Sequence, residues 1–335
     1  MHPATELHAA ARAHQILLCL DLTAASESGV PHALSLARTL GGSITLVHVM
    51  HPHGNHVGPR SYDALSWEIS RQEARSYLDR LAKQLATALG APVDIRLEQG
   101  SPAQRIAELV RELGAEVTVL GGRAKDPAQA GGGIAQQVLA LAPGSVLIAH
   151  SAGGLAGSTL QRVLVPLDGS RRAEAVLPLA ARMALAHHAE LLLVHIVQEP
   201  RSTALMELSG GLNLALQLAS CLQTGARRYL GQLQRQLIQN GIAARMLVMR
   251  HANERQCLLQ LVQPGQSELV VLSAHGATCD AERSFGGFIA HLMGASTVPM
   301  LVLQDLPARD ARTVQVPHDA VSARWSHATP SLDLA

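Results

Sequence analysis

One stretch of this 335-residue chain has the make-up of an anion site. An apolar run, residues 269–272, leads into Ser273-Ala274-His275-Gly276; nine residues later come Gly286-Gly287 and a short apolar segment through Met293. A strand, a small-residue loop and a helix start let backbone N–H groups converge on an anion at the positive end of the helix. Glycine belongs where an oxygen must approach the backbone closely, and Arg283 and Ser284 add a charge and a hydroxyl. Asp168-Gly169-Ser170 follows another apolar run, 163–167. An aspartate there can hold a ligand, or can bond the backbone N–H groups of its own turn; the residues alone leave both open. A third candidate is the run His48-Val49-Met50-His51-Pro52-His53-Gly54-Asn55-His56. Its imidazoles suit zinc or nickel, but no thiol or carboxylate lies within it, and a solvated loop explains it as well.

These loops sit within a duplicated frame. Residues 16–23, ILLCLDLT, return as 163–170, VLVPLDGS, and Leu46-Val47-His48-Val49 returns as Leu193-Val194-His195-Ile196. Asp21 and Asp168, and likewise His48 and His195, are 147 positions apart. Two motifs repeating at one long offset indicate a duplicated domain, and assign His48 to the repeated scaffold. In each copy, strand-like runs alternate with helical periodicity: strands at 16–21, 44–49, 93–97, 117–120 and 146–149, then at 163–167, 191–197, 244–248, 269–272 and 300–303. Long helices are expected over 64–89 and 205–239, with Glu68 and Arg71 paired on the solvent side. Ser101-Pro102 opens a helix with Ser as N-cap. Such alternation implies parallel sheets whose ligands lie beyond the carboxyl ends of the strands, at a switch point. That rule selects Asp21, Asp168 and the loops at Gly121 and Gly276.

The chain is 47% hydrophobic but only 2% aromatic, so its cores are aliphatic, as suits sheets covered on both faces. A net charge of +1 gives no footprint for nucleic acid or an anionic membrane surface. Cys19, Cys221, Cys257 and Cys279 show no paired spacing, which points to a reducing compartment. No secretory signal is expected in residues 1–14, and no apolar run reaches the ~20 residues of a membrane span; the expectation is a soluble cytoplasmic protein. No nucleophile elbow, paired acidic constellation or P-loop lysine makes a positive case for an enzyme.

Taken together, Asp168-Gly169-Ser170, the Leu193-Val194-His195-Ile196 strand, the Ser-x-x-Gly-x9-Gly-Gly loop and Thr297-Val298-Pro299-Met300-Leu301-Val302 resemble the universal stress protein family, over residues of about 15–150 and about 161–305. The resemblance implies two flavodoxin-like (adenine nucleotide alpha hydrolase-like) five-stranded parallel α/β domains in tandem. It also implies a stress-response function with ATP or AMP as ligand, and magnesium with ATP. In such a site the strand-one aspartate and second-strand backbone hold adenosine, and the glycine loop holds phosphate. Carried across, the nucleotide residues are Asp168, Gly169, Ser170, Ile196, Ser273, Gly276, Arg283, Gly286 and Gly287. Ser273 replaces the first Gly of the family's Gly-x-x-Gly-x9-Gly-Ser/Thr pattern, and Gly287 replaces its final Ser/Thr. The first copy departs further: it has Leu22 for Gly169, Ala124 for Gly276, and glycines at 131–133 that fall short of the expected spacing.

The expected organisation is a degenerate first domain over 1–150, a linker over 151–160, a second domain over 161–306 and a disordered tail over 307–335. The last strands, 146–149 and 300–303, are expected to pair as an internal pseudo-dimer, since an open edge invites pairing; a homodimer is a further possibility. One function is a stress regulator with a nucleotide site in the second copy alone, at most a weak ATPase. The other is a nucleotide-independent scaffold acting on a protein partner. Zinc or nickel at His51, His53 and His56 is the metal alternative.

Overall fold

A computed structural model describes residues 14–51, 64–122, 133–150, 160–199, 211–276 and 285–304. The first copy contributes β1 (Gln15–Cys19), a 3-10 turn (Ser26–Gly29), α1 (Val30–Leu40), β2 (Ser43–Met50), α2 (Ala64–Leu89), β3 (Asp94–Gln99), α3 (Pro102–Leu113), β4 (Val117–Gly122), α4 (Ile134–Leu141) and β5 (Ser145–His150). The second contributes β6 (Arg162–Pro166), α5 (Arg171–Glu174), α6 (Leu177–His187), β7 (Glu190–Gln198), α7 (Gly211–Gln239), β8 (Ala244–His251), α8 (Glu254–Leu261), β9 (Leu269–Ser273), α9 (Gly287–Ala295) and β10 (Met300–Leu303). The linker at 151–159, the tail beyond 304 and the expected start of the second long helix at 205–210 lie outside the described residues. Glu68 and Arg71 approach to 3.8 Å on α2. Ser101 stands at the N-cap of α3 but its side chain makes no capping bond there.

All ten strands form one sheet, ordered β3-β2-β1-β4-β5-β10-β9-β6-β7-β8. Every neighbouring pair is parallel except β5–β10, which is antiparallel. Its register is Met300 opposite Ile148, Leu301 opposite Leu147 and Val302 opposite Val146. Residues 146–148 and 300–302 occupy equivalent places in their copies, so Leu147 and Leu301 face each other on a pseudo-two-fold axis, as expected for these strands.

Two aliphatic cores flank the sheet, and each runs through both copies. On one face α1, α2, α6 and α7 bury Leu36, Leu78, Leu177 and Leu230 against Leu147 and Leu301. On the other, α3, α4, α8 and α9 bury Leu109, Leu139, Leu258 and Leu292 against Val146 and Val302. The strands are near-continuous aliphatic runs because both faces are covered. In the second half, chain order reverses between β6 and β9, whose carboxyl ends open side by side. A doubly wound sheet offers its ligand crevice at such a point.

Candidate functional site

The turn after β6 is built on β7. The Leu167 N–H donates to the Val194 carbonyl at 2.8 Å, and His195 Nδ1 donates to the Leu167 carbonyl at 2.8 Å. The first copy repeats both bonds, Leu20 N–H to Val47 and His48 Nδ1 to Leu20, each at 2.8 Å. Both histidines therefore tie strand two to the end of strand one.

Beyond this shared strut the copies differ. Asp168 Oδ1 accepts the Ser170 N–H at 2.9 Å, and the Ser170 hydroxyl accepts the Ala173 N–H at 3.1 Å, capping α5. Gly169 between them has φ +85°. The turn-forming role open to the aspartate is thus filled by one carboxylate oxygen. The other, Oδ2, lies 2.4 Å from where a Cβ on Gly276 would stand. In the first copy Asp21 Oδ1 accepts both the Thr23 N–H, at 2.9 Å, and its hydroxyl, at 2.6 Å, and Leu22 takes the left-handed turn at φ +66°.

The β9 loop brings Ser273, Gly276, Gly286 and Gly287 to the same end of the sheet as Asp168. Ser273 ends β9 as an ordinary strand residue, and its Oγ is buried without a hydrogen-bond partner. Among the described residues only Leu22 and His188 are non-glycines with positive φ, so serine in place of the first glycine introduces no backbone strain. Gly276 likewise needs no left-handed backbone; its requirement is the close approach to Asp168. The Gly286 N–H donates to the Ala274 carbonyl at 2.9 Å, and Gly286 is the N-cap of α9, with no side chain to satisfy the helix N–H groups. Ile196 lies on β7 opposite Met249 of β8. Arg283 lies outside the described residues.

Gly121 holds the place of Ser273 in the first copy, and there the 3-10 turn packs against the backbone. A Cβ on Gly121 would stand 2.1 Å from the Ser26 carbonyl oxygen of the 3-10 turn. Ala124 and glycines 131 and 132 lie outside the described residues; Gly133 is the N-cap of α4. Of the histidine-loop candidates, His51 is described and exposed, whereas His53 and His56 are not. No group of three or more metal-ligating side chains occurs among the described residues.

The sequence reading missed two residues that border this site. Asn253 caps α8, accepting the Gln256 N–H at 3.3 Å, and the next two residues are Glu254 and Arg255. The Arg255 guanidinium lies 3.5 Å from where a Cβ on Gly287 would stand. Desolvation pushes the Glu254 carboxyl above its usual range; His195 and Arg255 oppose the rise, and the Asp168 charge adds to it. Glu254 has more than a third of its surface exposed, so the direction, rather than an energy, is what its crowding supports. A signal was present: the first copy has Pro102-Ala103 after its N-cap, where the second has the two charges.

The profile of the universal stress protein family matches residues 13–150 and again residues 159–304. The chain belongs to the universal stress protein family. Among solved structures, a universal stress protein from Archaeoglobus fulgidus superposes with a TM-score of 0.63 at 18% identity, over 88% of this chain and 97% of its own. A Pseudomonas aeruginosa protein described as functionally unknown gives a TM-score of 0.59 at 14% identity, over 87% of this chain and 92% of its own. At these identities the likeness is one of fold. No curated protein sequence matches the chain. As a tandem universal stress protein it differs between its copies at the end of the fourth strand: Asp168 approaches Gly276 in the second, and the Ser26 carbonyl approaches Gly121 in the first. No helix among the described residues is long and apolar enough to cross a membrane.

Proposed function

We propose that this protein is a cytoplasmic stress-response regulator that binds one adenine nucleotide, ATP or AMP, in its second domain, residues 161–306, while the first domain, residues 1–150, serves as its structural partner. The observation that carries this reading is the contact between Asp168 Oδ2 and the bare Cα of Gly276, 2.4 Å from a Cβ position. It joins the ends of β6 and β9 at the switch point, in a cradle that any side chain on Gly276 would fill. In this reading Asp168, Gly169, Ser170 and the Ile196 backbone surround the adenosine. Ser273, Gly276, Arg283, Gly286 and Gly287 surround the phosphates, and magnesium accompanies ATP. The buried Ser273 hydroxyl at the end of β9, which has no hydrogen-bond partner, is consistent with that role.

The test is mass spectrometry of the purified protein under native conditions, followed by thermal shift with ATP and with AMP. A bound nucleotide, or a shift abolished by Gly276→Val, supports the reading; no ligand and no shift at millimolar nucleotide sinks it.

A second reading, a nucleotide-independent scaffold for a protein partner, is favoured by one observation. Leu214, Leu218 and Leu222 recur at i, i+4 and i+8 on α7 with exposures of 69, 59 and 53%, an apolar stripe of the kind partner surfaces use. Loss of a partner on Leu218→Glu, with nucleotide binding unchanged, would separate the two readings.

A further inference from the structure

Arg255 is placed where helix electrostatics disfavour a cation. It is the second residue of α8, beside the positive end of that helix, and its guanidinium also reaches the first residue of α9, 3.5 Å from the Cβ position of Gly287. A helix N-terminus carries roughly half a positive charge and favours anions. Two such ends and a guanidinium therefore meet at one spot. Neither the N-cap of α9, Gly286, nor its first residue, Gly287, has a side chain that could bring an acceptor. Glu254 offsets the charge from the α8 side. The first copy has Pro102-Ala103 at the start of α3 and Gly133-Ile134 at the start of α4, with no cation at either place. Among the described residues, a cation beside the starts of both helices thus occurs in the second copy.

Gly287 stands where the family pattern expects a serine or threonine. A hydroxyl there would project toward the space that Arg255 occupies. Building on the nucleotide reading above, we propose that Arg255 is the phosphate-binding cation of the second domain, taking the place of the missing hydroxyl. An anionic phosphate at the start of α9 relieves the repulsion among the two helix ends and the guanidinium, and a charge-assisted N–H···O bond replaces a neutral one. The ligand class is a nucleotide with at least one phosphate; adenosine makes no use of Arg255.

The experiment is calorimetric titration of the full chain and its Arg255→Gln and Arg255→Lys variants with AMP, ATP and adenosine, the nucleotides also at two KCl concentrations. Arg255→Gln is expected to weaken AMP and ATP binding by about 10- to 100-fold and to flatten its dependence on KCl. Arg255→Lys, a point charge without the fork, falls between, and adenosine is unaffected. Unchanged AMP affinity and salt dependence in Arg255→Gln overturns the inference while leaving the nucleotide reading intact. Equal loss of AMP and adenosine overturns it in favour of a structural role. A native chain that binds no nucleotide removes both.

Discussion

A methyl group on Gly276 would meet a carboxylate already fixed through its other oxygen by the Ser170 N–H. The Asp168 carboxylate must therefore shift in a Gly276→Ala protein. Nucleotide affinity is expected to fall about tenfold, with unfolding stability changed by no more than about 1 kcal/mol. Calorimetry and urea denaturation of the same variant check the two halves of that statement. Elsewhere the copies have traded strain. Leu22 holds a left-handed turn that Gly169 holds in the second copy, and His188 holds a left-handed C-cap that Gly41 holds in the first. A non-glycine residue in that region costs about 1–2 kcal/mol. Part of this is offset by the unfolded-state freedom that glycine adds. Leu22→Gly and His188→Gly should each raise stability by about 0.5–1 kcal/mol, visible as a higher denaturation midpoint at unchanged slope.

The long helices are pinned over the strand-one turns by a device present in both copies. Tyr77 on α2 donates to Glu27 at 2.6 Å, and Tyr229 on α7 donates to Glu174 at 2.9 Å. Burial and the partner glutamate push both phenols above their ordinary pKa. Because both copies keep the pair although their loops differ, its work is scaffolding. Tyr77→Phe and Tyr229→Phe are expected to cost about 1 kcal/mol each and to add in the double variant, having no shared partner. A second helix contact joins the copies: the Ser35 hydroxyl of α1 and His187 Nε2 of α6 are 2.6 Å apart, with His32 buried nearby and held down to about 4 by burial and by His187. Unfolded, His32 takes up a proton near its ordinary 6.5. Below that pH the unfolded chain binds more protons than the folded one, so stability falls as pH drops from 6.5 toward 4 and the loss levels off below it. The loss is on the order of 3 kcal/mol. His32→Leu should flatten this acid limb, since Leu179 fills the equivalent place in the second copy; denaturation at stepped pH reads it out.

The strands, their order along the chain and the placing of Asp168 with Gly276 were legible because each is written in local periodicity or in the repeat. The tyrosine pins were not: they join positions 50 and 55 residues apart that share no local pattern. Arg255 was hidden for a related reason, since only tertiary packing carries the start of α8 to the start of α9.

At the scale of the molecule, the β5–β10 join makes one sheet and two through-running cores out of two copies. Leu301 is fully buried on the pseudo-two-fold. Leu301→Ala is expected to cost about 3 kcal/mol, lost from one cooperative transition; two separate transitions in urea would show that the halves unfold independently. The sheet's remaining edges, β3 and β8, carry Asp94, Arg96 and Glu98 on one side and Arg245 and Arg250 on the other, charges that discourage further strand addition. With the join inside a single polypeptide, association between the halves is unimolecular. Dilution does not part them, and neither half is free to swap its mate for a subunit of a related protein in the same cell. The ratio of the second copy's loop to the first copy's is therefore fixed at one to one at every expression level, and each loop is free to drift without spoiling a second, identical copy of itself.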